Sequence, residues 1–405
     1  MIQNHAALKG KIGVEMKRFI IIYTLFVVCG LISLDARLID MYKKGTIRLM
    51  ADPQYGKNTD WDELFYDESK WMTVAPDGSI FVTNSLHHNI FKFGPDGVLL
   101  KQFSRSGEGP GDSYFPANPS ILDNKYLVIN QYSEMRKISI FDFSGNIVKV
   151  IKPNRPPSRT VSLKNGKIAY SSFILFEEKK KEQIKVIIKD VGTGNEKTVD
   201  IIELPFITYV QNGLTTIGKN IADVFLRKTL DGNLLVGVSN SPDIKIFSSE
   251  GKLIRSFQHH LKPIEVTSDY INRFKQYSIE NSKKECALER NPSMKEAIKK
   301  MANVPYEIFF AKYLPYYKQI QVDGEGNILV FKKTDCIANN CPVTFLVFSP
   351  EGKYICETKI DPGNFTVQIN SIHCNIEFTD KGIFGLFSIK DSDDISLRLV
   401  KVKTD

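Results

Sequence analysis

The chain has 405 residues, of which 42% are hydrophobic and 25% are charged, and its formal net charge is +8. These proportions are typical of a folded globular protein and exclude an intrinsically disordered chain. The basic residues are spread along the sequence, without the dense basic and aromatic alternation of a nucleic-acid groove, so we expect no nucleic-acid partner.

The start of the chain has the pattern of an export signal. Lys17 and Arg18 precede an apolar run from Phe19 to Leu34, which is short for a membrane-spanning helix. We predict that residues 1–36 are a cleaved signal peptide, with retention as an N-terminal anchor as the alternative. Lipid attachment at Cys29 is a further alternative, although bulky residues precede this cysteine.

The remainder, residues 37–405, repeats one phrase: an apolar strand, a polar turn with Gly or Asn, and a second apolar strand. The clearest copy is Asp77-Gly78 followed by Ile80–Val82. Tight turns of this kind need the positive φ that glycine adopts without steric cost. The same turn returns at Asn124, Gly166, Gly232, Gly326 and Gly382.

A second hairpin follows most copies of the first. Asp96-Gly97 is its turn in the first unit, and related turns occur at Gly145, Gly251 and Gly352, with a degenerate copy near Gly194. Four antiparallel strands in each of six units predict an all-β fold, a six-bladed β-propeller with four-stranded antiparallel blades. The sixth unit shows only three strands, and we predict that residues 45–50 supply its fourth strand.

A helical insertion is predicted between blades four and five, over residues 264–305. Tyr270 and Phe274 follow helical spacing after the candidate cap Ser268, and residues 293–296 read as a capping box.

We predict a disulfide between Cys336 and Cys341, which flank a four-residue loop between the second and third strands of blade five. Paired strand ends bring Cβ atoms close enough for such a bond. The pairing of Cys286, Cys356 and Cys374 stays open.

The chain resembles a known family at the Gly107–Asp112 turn, which is followed by Phe115-Pro116. This pattern is similar to the turn between blades one and two of NHL-type six-bladed propellers, and residues 77–84 resemble the same repeat. The chain also resembles exported bacterial proteins named for a six-bladed propeller. The resemblance spans roughly residues 60–402 and implies the fold, but it leaves the function open because this fold hosts many functions.

Enzymes of this fold include lactonases with calcium and lyases with zinc in the central channel, and their ligands come from the inner strands of several blades. The resemblance therefore directs attention to polar residues that can reach the channel mouth: Asn118, Arg159, Asp223, Asn370 and His373. The sequence shows no Ser-His-Asp order and no paired-histidine motif. We assign no catalytic residue, metal or cofactor, and we expect calcium in the channel only if the protein is an enzyme.

Two other motifs have ordinary structural interpretations. Gly107–Gly111 lacks the Lys-Ser/Thr ending of a phosphate-binding loop, which favours a turn between blades. Adjacent histidines, His87-His88 and His259-His260, point to opposite faces of a strand and rarely share a metal ion, so we interpret them as solvated loop residues.

Strand direction divides the propeller into two rims. The first and third turns of every blade share one rim, here called the turn rim, and are short. The middle loops and the connections between blades share the opposite loop rim, which should carry the 171–184 loop, the helical insertion and the 336–341 loop. Long loops on a rigid scaffold often bind ligands, so we predict that the loop rim and the adjoining channel mouth form the functional surface.

We therefore expect an exported, monomeric, non-catalytic module that binds a protein, peptide or glycan and meets a membrane only through its N-terminal segment. The alternative is a metal-dependent hydrolase or lyase, lactonase-like, at the channel mouth.

Overall fold

The computed structural model describes residues 37–403, apart from short segments. Residues 42–405 form one compact unit. The predicted signal peptide or anchor over residues 1–36 lies outside the described residues. The segments not described within 37–403 are 58, 65–69, 86, 108, 132–136, 177–180, 206–207, 212–213, 220–221, 289–295, 297–305, 338–340, 368–375 and 390–396.

The described strands form six blades in chain order, each with its first strand innermost. Blade one contains β3 (Lys70–Val74), β4 (Ile80–Asn84), β5 (Asn89–Phe93) and β6 (Leu99–Phe103). Blade two contains β7 (Pro116–Leu122), β8 (Tyr126–Gln131), β9 (Lys137–Asp142) and β10 (Ile147–Ile151). Blade three contains β11 (Pro157–Ser162), β12 (Lys167–Phe176), β13 (Lys181–Asp190) and β14 (Glu196–Pro205).

The remaining blades follow the same order. Blade four contains β17 (Val224–Lys228), β18 (Leu234–Val238), β19 (Asp243–Phe247) and β20 (Leu253–Gln258). Blade five contains β22 (Tyr317–Val322), β23 (Ile328–Lys332), β24 (Val343–Phe348) and β25 (Tyr354–Asp361). Blade six contains β26 (Phe365–Thr366), β27 (Ile376–Thr379), β28 (Gly382–Ile389), β29 (Leu397–Lys403) and, from the start of the chain, β2 (Met50–Ala51). The predicted six-bladed β-propeller is confirmed.

Alternating residues of a strand such as β4, which is buried along its whole length, face two different neighbouring blades, which explains why it reads as a continuous apolar run. Ile80 and Val82 of blade one pack with Phe384 of blade six, whereas Phe81, between them, packs with Leu127 of blade two. Further buried clusters lie between blades two and three, three and four, and four and five. Because both faces are buried, the amphipathic alternation of an ordinary half-exposed strand is absent.

The N-terminal segment closes the ring, although not as simply as predicted. Met50–Ala51 pairs with β29 and supplies the outer strand of blade six, as expected. Thr46–Arg48 forms β1 and instead pairs in parallel with β25 of blade five. The segment therefore joins two blades rather than one, with Leu49 between them donating its N–H to the carbonyl of Asp361.

Three helices are described: α1 (Leu38–Lys43), α2 (Trp61–Leu64) and α3 (Ser268–Leu288). The α3 helix lies in the predicted insertion, but its cap is Thr267, whose Oγ1 accepts the N–H of Tyr270 at 3.2 Å. The helix that the capping box at residues 293–296 predicts lies almost wholly outside the described residues. Within the described part of the chain, no helix combines the length and the apolar character that crossing a bilayer requires.

The two rims differ as strand direction predicted. Turns such as Gly78, Gly97 and Gly232 have φ between +77° and +82° and connect their strands directly. At the loop rim, blade three extends beyond its neighbours, because β12 and β13 each have 10 residues. The expected 171–184 loop is therefore wrong, since most of it is strand. Another sheet on this rim was not predicted: β15 (Thr208–Gln211), β16 (Leu214–Lys219) and β21 (Tyr306–Phe310).

The insertion is fastened to the loop of blade five that carries the disulfide. Cys336 and Cys341 are bonded, with their Cα atoms 5.7 Å apart, which confirms the predicted pair. Arg273 of α3 forms ion pairs with Asp269 at 2.8 Å and with Asp335, next to Cys336, at 3.9 Å. The helix and the disulfide loop therefore form one structure on the loop rim.

Candidate functional site

Three of the predicted site residues lie at the loop-rim ends of inner strands. Asn118 belongs to β7, Arg159 to β11, and Asp223 directly precedes β17. Asn118 has φ of +46° and lies in an irregular part of the pairing between β7 and β8. Asn370 and His373 lie outside the described residues, so their assignment to the mouth stays a prediction.

The structure brings Arg159 and Asp223 together across neighbouring blades. Nη2 of Arg159 is 3.9 Å from Oδ1 of Asp223, and the guanidinium lies over the ring of Phe225 at 5.4 Å. The Asp223 side chain is 38% exposed and that of Arg159 only 12%. Ser239 accepts the N–H of Asp223 at 2.8 Å and fixes its backbone. The carboxylate is thus held at the mouth, with one side open to solvent.

Glu182 and Lys333 are two further charged residues near this pair. We call the four residues together the mouth cluster: Arg159, Glu182, Asp223 and Lys333. Glu182 is buried on β13, and burial together with the negative charge of Asp223 raises its pKa. Lys333 follows β23, and burial lowers its pKa while the negative charge of Asp223 opposes that shift. The cluster therefore combines two basic and two acidic side chains from blades three, four and five.

A second set of charges lies deeper in the channel. Arg227 donates to the carbonyl of Leu226 at 2.8 Å and to Oε1 of Gln319 on blade five at 2.7 Å. Lys228 donates to the carbonyl of Ile121 on blade two at 3.3 Å. Because the strand of Lys228 belongs to blade four, this side chain reaches across the channel near the turn rim.

Glu377 on β27 of blade six is an acidic residue whose charge interacts with that of Arg227. Burial raises the pKa of Glu377 to about 7, and the positive charge of Arg227 opposes this rise. A carboxyl whose pKa is raised by folding stabilises the native state most below its unfolded pKa, and this stability is lost as the pH rises to the folded value.

We therefore expect Glu377→Gln to change the pH dependence of stability. Between about pH 4.5 and 7, wild type should lose unfolding free energy relative to the glutamine variant, by about 1–3 kcal/mol over the window. Urea unfolding of both proteins at several pH values measures this difference. A difference that is constant across the window would show that Glu377 titrates in the native state as it does in the unfolded chain.

Interpreting the adjacent histidines as solvated is wrong for His259, and His88 is only half-exposed. His259 is buried, its Nδ1 accepts the N–H of Leu261 at 3.0 Å, and its Nε2 therefore donates to the carbonyl of Ser241 at 3.1 Å. His88 accepts the N–H of Phe115 and stacks on Tyr114 at 4.8 Å. Burial lowers the pKa of both. These two rings stabilise connections between strands.

The Gly107–Asp112 segment is a clamped turn between blades, as predicted. Buried Lys137 from blade two donates to the carbonyls of Gly109 at 2.7 Å and Asp112 at 3.0 Å. The carboxylate of Asp112 accepts the N–H of Gly109 and pairs with Arg105. The carbonyls at the centre of this turn therefore bind a lysine.

The described mouth residues do not fit a calcium site. Calcium needs six to eight oxygen ligands, but the guanidinium of Arg159 lies against the carboxylate of Asp223. No group of three or more His, Cys, Asp or Glu residues is placed to hold a metal ion in the part of the chain that the structure describes. We derive no step through a metal.

A cavity of about 380 Å³ lies elsewhere, along blade six and the segment that leads to blade one. Tyr55, Trp61, Phe365 and Arg398 contribute to its wall. The Trp61 ring packs on Phe93 at 5.5 Å and belongs to the core. We therefore place the candidate site at the channel mouth, where charges from three blades meet.

Sequence reasoning missed Glu182, Lys333, Arg227, Lys228 and Glu377. The sequence does indicate Arg227-Lys228 as unusual. These two adjacent charges end an otherwise apolar inner strand, and side chains on both faces of such a strand have limited access to solvent. Lys332-Lys333 reads as an ordinary exposed pair. Only the structure shows that Lys332 bonds Glu357, whereas Lys333 belongs to the mouth.

Six four-stranded blades around one channel define the class of protein as a six-bladed β-propeller. Residues 72–258 match the model of the DUF5128 family, described as a 6-bladed beta-propeller. This match supports the blade type and count but not the NHL-type resemblance, which stays a prediction. No curated protein matches the chain significantly.

The chain is similar to several solved structures at low sequence identity. A DUF4221 family member from Bacteroides vulgatus ATCC 8482 is 13% identical, with a TM-score of 0.45 and coverage of 88% of this chain and 96% of the other. A Bacteroides fragilis NCTC 9343 protein proposed to be exported is 9% identical, with a TM-score of 0.48 and coverage of 89% and 99%. Virginiamycin B lyase from Staphylococcus aureus is 12% identical, with a TM-score of 0.39 and coverage of 84% and 87%. We draw no functional conclusion from these likenesses.

Proposed function

We propose that the protein is an exported, non-catalytic binding module that presents its loop rim and channel mouth to a peptide, protein or glycan. The observation that carries the proposal is the asymmetry between the rims. The turn rim consists of short turns, whereas the loop rim carries the extended blade three, the β15–β16–β21 sheet, α3 and the disulfide loop. Ligand-binding segments concentrate on loops that a rigid scaffold positions.

The mouth cluster supports binding at the centre of this rim. Its side chains come from three blades whose relative positions are fixed by buried clusters between them. Preorganised polar groups in a rigid apolar frame lose little conformational entropy when a ligand binds. Asp223 is paired with Arg159, an arrangement that suits recognition of a charged ligand.

Export is supported by two observations. The sequence before residue 37 has the pattern of a signal peptide, and the Cys336–Cys341 disulfide is the kind of bond that persists in oxidising compartments.

The test uses the full chain on a glycan array and a displayed peptide library, followed by affinity measurements on the selected ligand. Excision of residues 268–305 should weaken binding by about tenfold or more while circular dichroism shows a folded propeller. A folded excision variant that binds as wild type does would refute the proposal. Turnover of lactones or esters in the same preparation would favour the enzymatic alternative instead.

A matched pair of point variants decides the matter if the excised protein does not fold. Phe173 is 42% exposed on the extension of blade three, and Leu230 is 66% exposed on the turn rim. Each variant replaces one exposed apolar side chain by serine, so the two differ only in the rim that is changed. Phe173→Ser should therefore weaken binding and Leu230→Ser should not. Equal affinities for the two variants would contradict the proposal.

A further inference from the structure

We infer that the cavity of about 380 Å³ beside blade six is a binding site for a small aromatic carboxylate. None of the residues that line this cavity belongs to the mouth cluster, so the inference goes beyond the proposed function of the loop rim and is tested separately. Three observations lead to it: the size of the cavity and the anchoring of its wall, the aromatic side chains that line it, and the charges around it.

The cavity has the size of a small-molecule site. Such sites enclose about 300–1,000 Å³ and are lined by aromatic and apolar side chains with a few polar groups. A volume of about 380 Å³ is near the lower end of this range. The expected occupant is therefore a small molecule rather than a folded partner protein.

One wall of the cavity is the segment between β2 and α2, which is anchored to two blades. The N–H of Asp52 donates to the carbonyl of Lys401 on blade six at 2.8 Å. The N–H of Gly56 donates to the carbonyl of Asp96, in a turn of blade one, also at 2.8 Å. Because the wall is fixed at both blades, binding requires little further ordering of the protein, which favours affinity for a small ligand.

Three aromatic side chains contribute to the lining: Tyr55, Trp61 and Phe365. Trp61 packs on Phe93 at 5.5 Å, and Phe365 packs on Phe387 at 5.1 Å. Both rings are mostly buried and therefore keep their positions without a ligand. Aromatic pairs prefer offset-stacked or edge-to-face arrangements and are more stable than their buried area alone implies. An aromatic ring is therefore the expected body of the ligand.

The charges around the cavity favour an anionic group on that ring. Lys57, Asp52, Asp60 and Arg398 line the cavity, and Lys403 pairs with Asp52 at 3.6 Å. Three basic and two acidic side chains therefore surround the cavity, which suits a monoanion better than a dianionic phosphate. Among the described residues, Arg398 makes no ion pair or hydrogen bond, and a guanidinium can bind a carboxylate through two parallel hydrogen bonds.

Phenylacetate is a probe with both features, whereas phenylacetamide lacks the charge and cyclohexylacetate lacks the aromatic ring. Trp61 and Trp71 are the two tryptophans of the chain, so the tryptophan fluorescence of a Trp71→Phe variant reports on the cavity wall alone. Titration of this variant with phenylacetate should give a saturable change in emission, with at least about tenfold weaker binding of the amide. Cyclohexylacetate should also bind more weakly than phenylacetate. Calorimetry on the wild-type chain gives the same comparison if Trp71→Phe does not fold.

Arg48 provides a matched control for Arg398. It is an exposed arginine on β1 that pairs with Asp361 at 3.7 Å and does not line the cavity. We expect Arg398→Met to weaken binding of phenylacetate by about tenfold or more. Arg48→Met should leave binding unchanged, because it removes only an exposed ion pair.

Three results would overturn the inference: no binding of phenylacetate up to its solubility limit, equal affinities for phenylacetate and either analogue, or equal affinities for the two arginine variants. Excision of residues 268–305 separates this site from the loop rim, because that segment contributes no residue to the lining. A folded excision variant should bind phenylacetate as wild type does, even where it no longer binds a ligand selected on the arrays.

Discussion

Replacing Tyr42 by alanine is expected to destabilise the propeller by about 3–5 kcal/mol, because it removes a fully buried aromatic ring where the ring of blades closes. Tyr42 is 0% exposed and packs edge-on against Phe345 of blade five at 5.6 Å and Phe378 of blade six at 6.1 Å. No neighbouring side chain can fill such a space without rearrangement. Urea unfolding followed by tryptophan fluorescence measures the loss.

Tyr42→Phe separates packing from hydrogen bonding. The Tyr42 hydroxyl donates to Oδ2 of Asp323 at 3.0 Å in a buried setting, and the Asp323 carboxylate also accepts the side-chain amide of Asn327. The phenylalanine variant should therefore lose only about 1–2 kcal/mol. Equal stability of the alanine and phenylalanine variants would show that packing of the Tyr42 side chain does not stabilise the junction between blades five and six.

The second large effect is expected for Gly324→Ala, at the same junction. A Cβ added to Gly324 would overlap the backbone of Thr379 and Asp380 in the turn of blade six. Backbone atoms cannot move aside as a flexible side chain does, so the turns of the two blades must separate. We expect a loss of about 2–3 kcal/mol, because overpacking in a rigid core has costs of this size.

Gly111→Ala is the control for this substitution. Nothing lies within 4 Å of a Cβ at Gly111, and its φ is outside the positive range that disfavours alanine. The unfolding free energy should change by less than about 0.5 kcal/mol. Equal losses for Gly324→Ala and Gly111→Ala would indicate a general cost of replacing glycine rather than a clash between blades.

The blades could be predicted because their determinants are local. A strand such as Ile80–Val82 is apolar on both faces, since each face meets a different blade, and the turn at Gly78 announces the reversal within a few residues. The Cys336–Cys341 pair was equally accessible, because its partners are five residues apart and flank one loop.

The elaborations of the loop rim could not be predicted in this way. The β16–β21 pair joins Thr215 to Tyr306, and the residues between them give no local sign of this pairing. The tip of blade three is rich in Glu and Lys, so it resembled a loop although its flanks continue as strands. Burial of His259 depends on the rings of Tyr316 and Tyr317, which pack on it from the other end of the insertion.

Hydrogen–deuterium exchange of the full chain, with and without a ligand selected on the arrays, tests the central claim most directly. We expect the ligand to protect backbone amides on the loop rim, around Arg159, Asp223 and Lys333, and to leave the turns at Gly78 and Gly232 unchanged. Protection confined to those turns, with the loop rim unaffected, would contradict it.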